Sequence, residues 1–365
     1  MPFDPPQENV PLAPLTTLGI GGAARWFARA TSVEQVIAAS AWRDAPVLVL
    51  GGGSNLVVSD EGFHGLVLHI GITGIRATPR GGDMMVSAGA GESWDGLVEF
   101  AVTRGLAGIE CLSGIPGTVG GTPIQNVGAY GQDVAAVIES VHAFDCEKRG
   151  TVQLSPSECG FGYRTSRFKQ RDAGRFIVRE VVFRLRPGGV PTVTYPDIID
   201  DLSKHSTGSP DVRAVREAVL NVRRRKGMVI DAADPDTRSV GSFFMNPVVS
   251  RAAFERIATA LPGGADSSGP RVPHFMMDND SVKIPAAWLI ERSGFARGHV
   301  DGRVGLSTKH PLAVINRGGA TARDVIRLAR SIKHAVIDRF GVALRPEPVF
   351  VGFAGNPDIE YLLRG

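Results

Sequence analysis

Apolar positions recur along the chain in two periods, and their alternation sets out the elements. Arg25-Trp26-Phe27-Ala28 follows a glycine-rich segment, Thr16 to Ala24, and reads as a short strand, so the first ordered element is expected near Leu15. Val33, Val36, Ile37 and Ala38 mark a short helix behind a capping box over Thr31 to Glu34. Pro46 to Leu50, Leu66 to Ile70 and Met84 to Ala88 are compact apolar runs of strand type. Ser93 caps a helix whose apolar face carries Leu97, Val98, Ala101 and Val102 and which stops at Gly105. Phe176 to Arg186 is a strand anchored by Phe176, Val178 and Val182. Pro187 to Pro191 breaks the pattern, and the region of Thr194-Tyr195-Pro196-Asp197 reads as irregular. Ser209-Pro210 opens the next helix by the cap and first-turn preferences, with Val212, Val215, Ala218, Val219 and Val222 on its buried face. Lys283 to Ile290 looks like a helix start and Pro311 to Ile315 a strand. The longest helical pattern opens at Thr321 to Asp324, carries Val325, Ile326, Leu328, Ala329, Ile332, Ala335, Val336 and Phe340, and stops at Gly341. Leu344 to Gly352 closes the chain as a strand held by prolines.

Helices and strands thus mix without repeats, which places the chain in the α/β or α+β class. A length of 365 residues fits two to three domains. The net charge of +3 is small for that length and does not announce nucleic-acid binding. Cys111, Cys146 and Cys159 are odd in number and widely spaced, which argues for a reducing compartment and against a disulfide framework or a zinc site. The opening Met1-Pro2-Phe3-Asp4-Pro5-Pro6 lacks the basic region and apolar core of a signal peptide, and no apolar run is long enough to span a bilayer. A cytoplasmic protein is expected, with no membrane insertion and no resident metal.

The chemistry gathers around two glycine-dense stretches. Ser113 to Gly131 contains Gly114, Gly117, Gly120, Gly121, Gly128 and Gly131. Glycine lets backbone turn tightly and approach a ligand, and successive N–H groups in such turns form an anion-binding concavity. Ile115, Val119, Ile124, Val127 and Tyr130 are interleaved with the glycines and need burial, which argues against a flexible linker. Gln125 and Asn126 add amides that donate and accept. The second stretch, Gly51-Gly52-Gly53-Ser54-Asn55, leaves a strand and is either a diphosphate cradle or an ordinary turn before the next strand. No P-loop occurs, and Gly19-Ile20-Gly21 leads into a strand, which rejects a dinucleotide fingerprint of the Rossmann kind. Two such loops suit a long ligand with a diphosphate and a ring system, such as FAD.

Other candidates lie outside these loops. Cys159 to Lys169 is dense in cations and aromatics; Arg164 offers a fork that fits a carboxylate, while Arg167 and Lys169 read as solvated cations. Arg223 to Lys226 falls in a last helical turn, where cations complement the dipole, unless one of them reaches a phosphate. Ser242, between Gly241 and Phe243-Phe244, is a packed turn residue or a working hydroxyl, and no nucleophile elbow surrounds it. Glu347 sits in an apolar setting that would raise its pKa, or else at an exposed strand edge.

Taken in order, these motifs resemble one family, the UDP-N-acetylenolpyruvoylglucosamine reductases. The matching segments are Thr17-Leu18-Gly19-Ile20-Gly21-Gly22, Gly51 to Asn55, Gly114-Ile115-Pro116-Gly117-Thr118-Val119-Gly120-Gly121, Tyr163-Arg164-x-Ser166-x-Phe168-Lys169, Gly241-Ser242-Phe243-Phe244-x-Asn246-Pro247, and Pro346-Glu347. Each glycine motif is weak alone; in this order and company they are specific.

The resemblance implies an α+β chain with an FAD-binding fold of the vanillyl-alcohol-oxidase type in two subdomains, and a third, α/β domain that closes over substrate. The boundaries expected are 1–75 for the first FAD subdomain, with 342–365 packing on it, 76–225 for the second, and 226–341 for the substrate domain. The resemblance implies non-covalent FAD, NADPH as hydride donor and UDP-N-acetylglucosamine enolpyruvate as acceptor, in a monomer with no nucleic-acid partner. FAD would fall to Gly51, Gly52, Gly53, Ser54, Asn55, Ser113, Gly114, Pro116, Gly117, Thr118, Gly120, Gly121, Asn126, Gly128 and Ala129. Arg164 and Glu347 look like the pair that holds and polarises the substrate carboxylate, and Ser242 like the proton donor. Tyr163, Tyr195, Lys226 and Asn246 look like ligands of the UDP-sugar, with Tyr195 marking the class that keeps a tyrosine-bearing lid. Met245 departs from the lysine that often stands there, so contacts to substrate phosphate are expected to differ.

Two rival readings remain at this stage. A flavin-dependent sugar or alcohol oxidase would use oxygen and often tether its flavin through His or Cys; no His lies in either glycine loop. A non-catalytic UDP-sugar binder would purify colourless and fail to take up FAD.

Overall fold

The protein is described as a computed structural model over residues 5–42, 44–205, 208–259, 272–277 and 280–364. The opening Met1 to Asp4, read above for a leader, lies outside them. The chain divides into two compact units: Met1–Thr16, Ala23–Ser54 and Gly62–Asp231 form the first, and Thr17–Gly22, Asn55–Glu61 and Ala232–Gly365 the second.

Among its described residues the first unit holds two large sheets and a two-stranded one, Gly128–Ala129 with Gln132–Asp133. In one, the strands Ala23–Ala30, Phe63–Ile70 and Val47–Leu50 run parallel, and Gln7–Pro11 adds an antiparallel edge. The first element among the described residues therefore starts at Gln7, ahead of Leu15: the polar Gln-Glu-Asn edge hides the strand from an apolar pattern. In the other, Gly150–Leu154, Ile138–Asp145, Phe176–Pro187, Asp83–Gly89 and Ile75–Arg80 are antiparallel neighbours. Phe176–Pro187 is its centre, and Val178, Val181, Phe183 and Leu185 are buried. The helix Trp94–Thr103 packs into the same core through Trp94, Leu97, Val98, Ala101 and Val102. Ser93 caps it as expected, its Oγ accepting from Gly96 N at 3.3 Å.

Three expectations shift here. The helix after strand Ala23–Ala30 is capped by Ser32, not Thr31; Gln35 Oε1 returns to the Thr31 amide at 2.7 Å. The helix Val212–Arg225 is capped by Asp211 rather than opened by Ser209-Pro210, and its expected apolar face is buried. The region around Tyr195 is not irregular: Pro196 begins the helix Pro196–His205.

The second unit is built on the strands Ser239–Ser242, Ala313–Asn316, Val304–Leu306 and Val300–Asp301, with a smaller sheet Val248–Ser250, Ser281–Lys283, Phe275–Met277. The helix Ala322–Phe340 fills its core with Val325, Ile326, Leu328, Ala329, Ile332 and Val336. Its ends are those the sequence marks: a reciprocal Thr321/Asp324 capping box, and Gly341 in the left-handed conformation at φ 66°. Asp60 adds a second cap, accepting from Ala322 N at 2.7 Å and Arg323 N at 3.1 Å. The strand Val349–Val351 pairs in parallel with Leu56–Val58.

Candidate active site

Strand Val47–Leu50 releases Gly51-Gly52-Gly53-Ser54 directly onto the loop that carries Gly117 and Thr118. A Cβ on Gly51 would lie 2.6 Å from Thr118 Oγ1, and one on Gly52 would lie 2.7 Å from Gly117 Cα. Gly53 has φ +61°, and a Cβ there would lie 1.9 Å from the Leu15 carbonyl oxygen. Gly117 has φ +119° and faces Ser54, whose Oγ donates to Pro116 O at 3.1 Å. Backbone thus packs on backbone, which only glycine allows.

The amides left over are the useful part. Trp94 N donates to Gly117 O at 3.1 Å and Val119 N to Glu92 O at 2.9 Å, so the Thr118 N–H points to the opposite edge. Among the described residues, the N–H groups of Gly52, Gly53, Gly117 and Thr118 donate to no protein acceptor. Clustered amides without partners beside a side-chain-free backbone fit a diphosphate. The other loop residues serve shape. Gly114 N donates to Asp95 Oδ1 at 2.6 Å, Gly120 N to Ala90 O at 2.9 Å and Gly121 N to Thr118 O at 3.0 Å. Ser113 is buried, its Oγ donating to Glu110 O at 2.6 Å.

Beyond the glycines, Asn126 ends the short helix Thr122–Gln125 in the left-handed conformation. Its Oδ1 accepts from Ala135 N at 3.1 Å and its Nδ2 donates to Gly162 O at 3.0 Å. Gly128–Ala129 pairs with Gln132–Asp133 around a turn at Tyr130 and Gly131. Gly162 and Thr165 exchange backbone bonds of 3.0 and 3.2 Å, which puts Tyr163 and Arg164 at the tip of a two-residue turn. Ser166 Oγ ties that turn to Ile124 O at 2.7 Å. Asn126, Tyr130 and Arg164 all hold positive φ without being glycine. Such strain persists where the surroundings over-determine a conformation, and it concentrates at working sites.

Two cations read as solvated have structural partners instead. Arg167 Nε pairs with Asp172 Oδ2 at 2.7 Å and its Nη1 donates to Glu158 O at 2.9 Å; Lys169 Nζ donates to Gln125 Oε1 at 3.0 Å.

The aromatic candidates meet at the start of helix Pro196–His205. Tyr130 and Tyr195 pack edge to face with centroids 5.2 Å apart. Lys226 Nζ lies 6.0 Å from each ring and 2.5 Å from Asp197 Oδ2. Burial raises the Tyr130 hydroxyl's pKa, against the opposing pull of Arg223 and Lys226. Arg223, read above as a helix-end cation, is buried and donates to Met228 O at 2.7 Å.

In the second unit, Ser242 ends the strand Ser239–Ser242 at an irregularity in its pairing with Ala313–Asn316, beside Gly241 at φ +76°. Phe243 and Phe244 are buried and lock the next two positions. Glu347 N donates to Phe243 O at 2.8 Å, Met245 N donates to Arg345 O at 3.0 Å, and Phe244 bridges Pro346. Ser242 and half-buried Glu347 therefore sit on directly bonded segments. Asn55 joins them: its Nδ2 donates to Glu347 O at 3.4 Å and its own carbonyl accepts from Val349 N at 2.9 Å. Asn246 Oδ1 accepts from Ala286 N at 2.8 Å, at the start of helix Ala286–Arg292. Arg164 belongs to the first unit, and Ser242, Asn246 and Glu347 to the second. The residue that pattern reading passed over is Asp95; only its place, in the first turn of a helix ahead of the glycine loop, marked it.

Residues 234–351 match the model of the UDP-N-acetylenolpyruvoylglucosamine reductase C-terminal domain, and residues 24–153 that of an FAD binding domain. A UDP-N-acetylenolpyruvoylglucosamine reductase of Thermobifida fusca is 47% identical over 352 residues, covering 94% of this chain and 98% of that protein. One of Mycobacterium tuberculosis is 46% identical over 358 residues, covering 94% and 95%. Among solved structures, the UDP-N-acetylenolpyruvylglucosamine reductase of Thermus caldophilus aligns with a TM-score of 0.64 at 26% identity, covering 95% of this chain and 99% of its own.

Proposed function

The chain belongs to the UDP-N-acetylenolpyruvoylglucosamine reductase family, and from that premise we propose how its residues carry out the reaction. It is an FAD-dependent oxidoreductase, with an FAD-binding fold of the vanillyl-alcohol-oxidase type, that reduces UDP-N-acetylglucosamine enolpyruvate to UDP-N-acetylmuramate with NADPH, a step in making peptidoglycan precursors. FAD, when bound, supplies the hydride transfer from NADPH to the enol ether.

The observation that carries the reading is the packing of Gly51 to Ser54 on Pro116 to Thr118, with amides of both loops unspent. Those amides hold the diphosphate. Asn126, Gly128 and Ala129 continue the cofactor surface. Tyr163, Tyr195, Lys226 and Asn246 bind the UDP-sugar. Arg164 and Glu347 hold the substrate carboxylate and stabilise the negative charge that develops on the carbon beside it. Ser242 Oγ donates the proton that this carbon takes up. The reading carries with it non-covalent FAD and a cytoplasmic monomer. Among the described residues no helix is long and apolar enough to cross a membrane.

The test is optical. The purified protein should be yellow, release FAD on acid treatment, bleach on anaerobic NADPH and regain colour on adding UDP-N-acetylglucosamine enolpyruvate. Reoxidation by oxygen alone, with none by that substrate, would favour an oxidase instead. A colourless protein that FAD cannot reconstitute would favour a plain UDP-sugar binder.

A further inference from the structure

The loop that offers its amides at Gly117 and Thr118 is gripped from one side by the start of a helix. Trp94 Nε1 donates to Leu112 O at 3.1 Å, Trp94 N to Gly117 O at 3.1 Å and Val119 N to Glu92 O at 2.9 Å. Between these backbone anchors, a single carboxylate enters. Asp95 Oδ1 accepts from Gly114 N at 2.6 Å. The same carboxylate is held by Arg216, Nη1 to Oδ1 at 2.6 Å and Nη2 to Oδ2 at 3.0 Å, a two-pronged pair from the helix Val212–Arg225.

Position 114 is special for a second reason. Gly114 has φ +70°, and a Cβ there would lie 2.9 Å from Leu220 Cδ2 and 3.4 Å from Arg223 Nε. Arg223 is 8% exposed, and its Nε has no hydrogen-bond partner among the described residues. Two arginines of one helix, two turns apart, therefore face the same bend of the loop, and Asp95 is the acid between them. The attraction of Arg216, the Gly114 amide and Arg223 outweighs burial and holds the Asp95 carboxyl below its ordinary range.

We propose that Asp95 is a positioning residue for FAD: paired with Arg216, it fixes the Gly114 amide and so sets the place of the Gly117 and Thr118 amides. This rests on the reading that the loop binds FAD. The carboxylate is not itself a ligand; a negative charge would repel a diphosphate. Its work is to keep the loop bent when the cofactor is absent, so that binding does not have to order it.

The experiment is FAD binding to deflavinated protein, followed by quenching of flavin fluorescence, with apoprotein melting measured beside it. Asp95→Ala should raise the FAD Kd about tenfold or more, because a charge-assisted bond to a buried amide is lost. Arg216→Ala should raise it less, since Asp95 keeps its bond to Gly114, and the double variant should match Asp95→Ala alone. Asp95→Asn, which keeps an acceptor oxygen and serves if Asp95→Ala does not fold, should fall between wild type and Asp95→Ala. A Kd within twofold of wild type in Asp95→Ala, a Kd in Asp95→Asn no higher than that of wild type, or strictly multiplicative effects in the double variant, would overturn the proposal. Gly117→Ala separates this from the premise. If it loses FAD while Asp95→Ala does not, only the positioning role falls; if neither affects FAD, the loop is not the cofactor site.

Discussion

Gly52 and Gly117 are in backbone contact: a Cβ at position 52 would stand 2.7 Å from Gly117 Cα and 3.1 Å from its carbonyl carbon. No side-chain rotation relieves that overlap, so Gly52→Ala must push the two loops apart. The expected result is a folded protein that binds FAD at least tenfold more weakly, because the amides of Gly53 and Thr118 no longer converge. Gly150→Ala, outside both loops, is the control, since the nearest atom to a Cβ there is Lys148 O at 4.0 Å. Equal FAD affinity in both variants would refute the two-loop cradle.

Ser242→Ala separates the two half-reactions. Bleaching by NADPH should keep its rate, while recovery of colour with UDP-N-acetylglucosamine enolpyruvate should slow about a hundred- to ten-thousand-fold, the usual worth of a placed general acid. Stopped-flow absorbance reads both. If both stay fast, the proton comes from elsewhere.

Much of this was legible because local signals agreed with tertiary ones. Thr321, Asp324 and Gly341 bound their helix where a pattern of apolar residues began and ended. Gly51 to Ser54 and Gly114 to Gly121 declared close approach by their missing side chains. What stayed hidden depended on partners distant in sequence. Ile138–Asp145 does not alternate, because it lies between two strands and Asp145 is buried against Arg175. Asp60 caps a helix 262 residues away, and Asp95 answers an arginine 121 residues on. Such acids look like surface charges until the fold supplies the cation or amide.

Asp145 gives a pH prediction. Arg175 grips it, Nε to Oδ1 at 3.1 Å and Nη2 to Oδ2 at 2.7 Å, and the amides of Glu147 and Lys148 add bonds of 3.0 and 3.1 Å. The Arg175 bond, with those amides, lowers its pKa to about 2. An unfolded Asp titrates near about 3.9. The folded value is the lower one, so the stabilisation is complete above the unfolded pKa and is lost as pH falls through the folded one. Asp145→Asn should therefore cost on the order of 2 kcal/mol at pH 7, and that difference should close between about pH 4 and pH 2. Urea unfolding across that range checks it. A gap that persists at pH 2 would mean that packing, not charge, is what the substitution removes.

Lys226 is held by Asp197 at 2.5 Å, with 35% and 48% of the two side chains exposed. A lysine that binds a substrate phosphate has to give up that carboxylate first. Exposed pairs of this kind are worth up to about 1 kcal/mol, so releasing the lysine is worth at most about a fivefold change in affinity. Asp197→Asn should then lower KM for UDP-N-acetylglucosamine enolpyruvate by a few-fold and leave kcat unchanged. Because the pair is exposed, the gain should shrink as salt rises and screens the competition. Steady-state kinetics at low and high ionic strength decide the point. A KM that rises instead would mean that Asp197 aims Lys226 between Tyr130 and Tyr195 rather than competing for it.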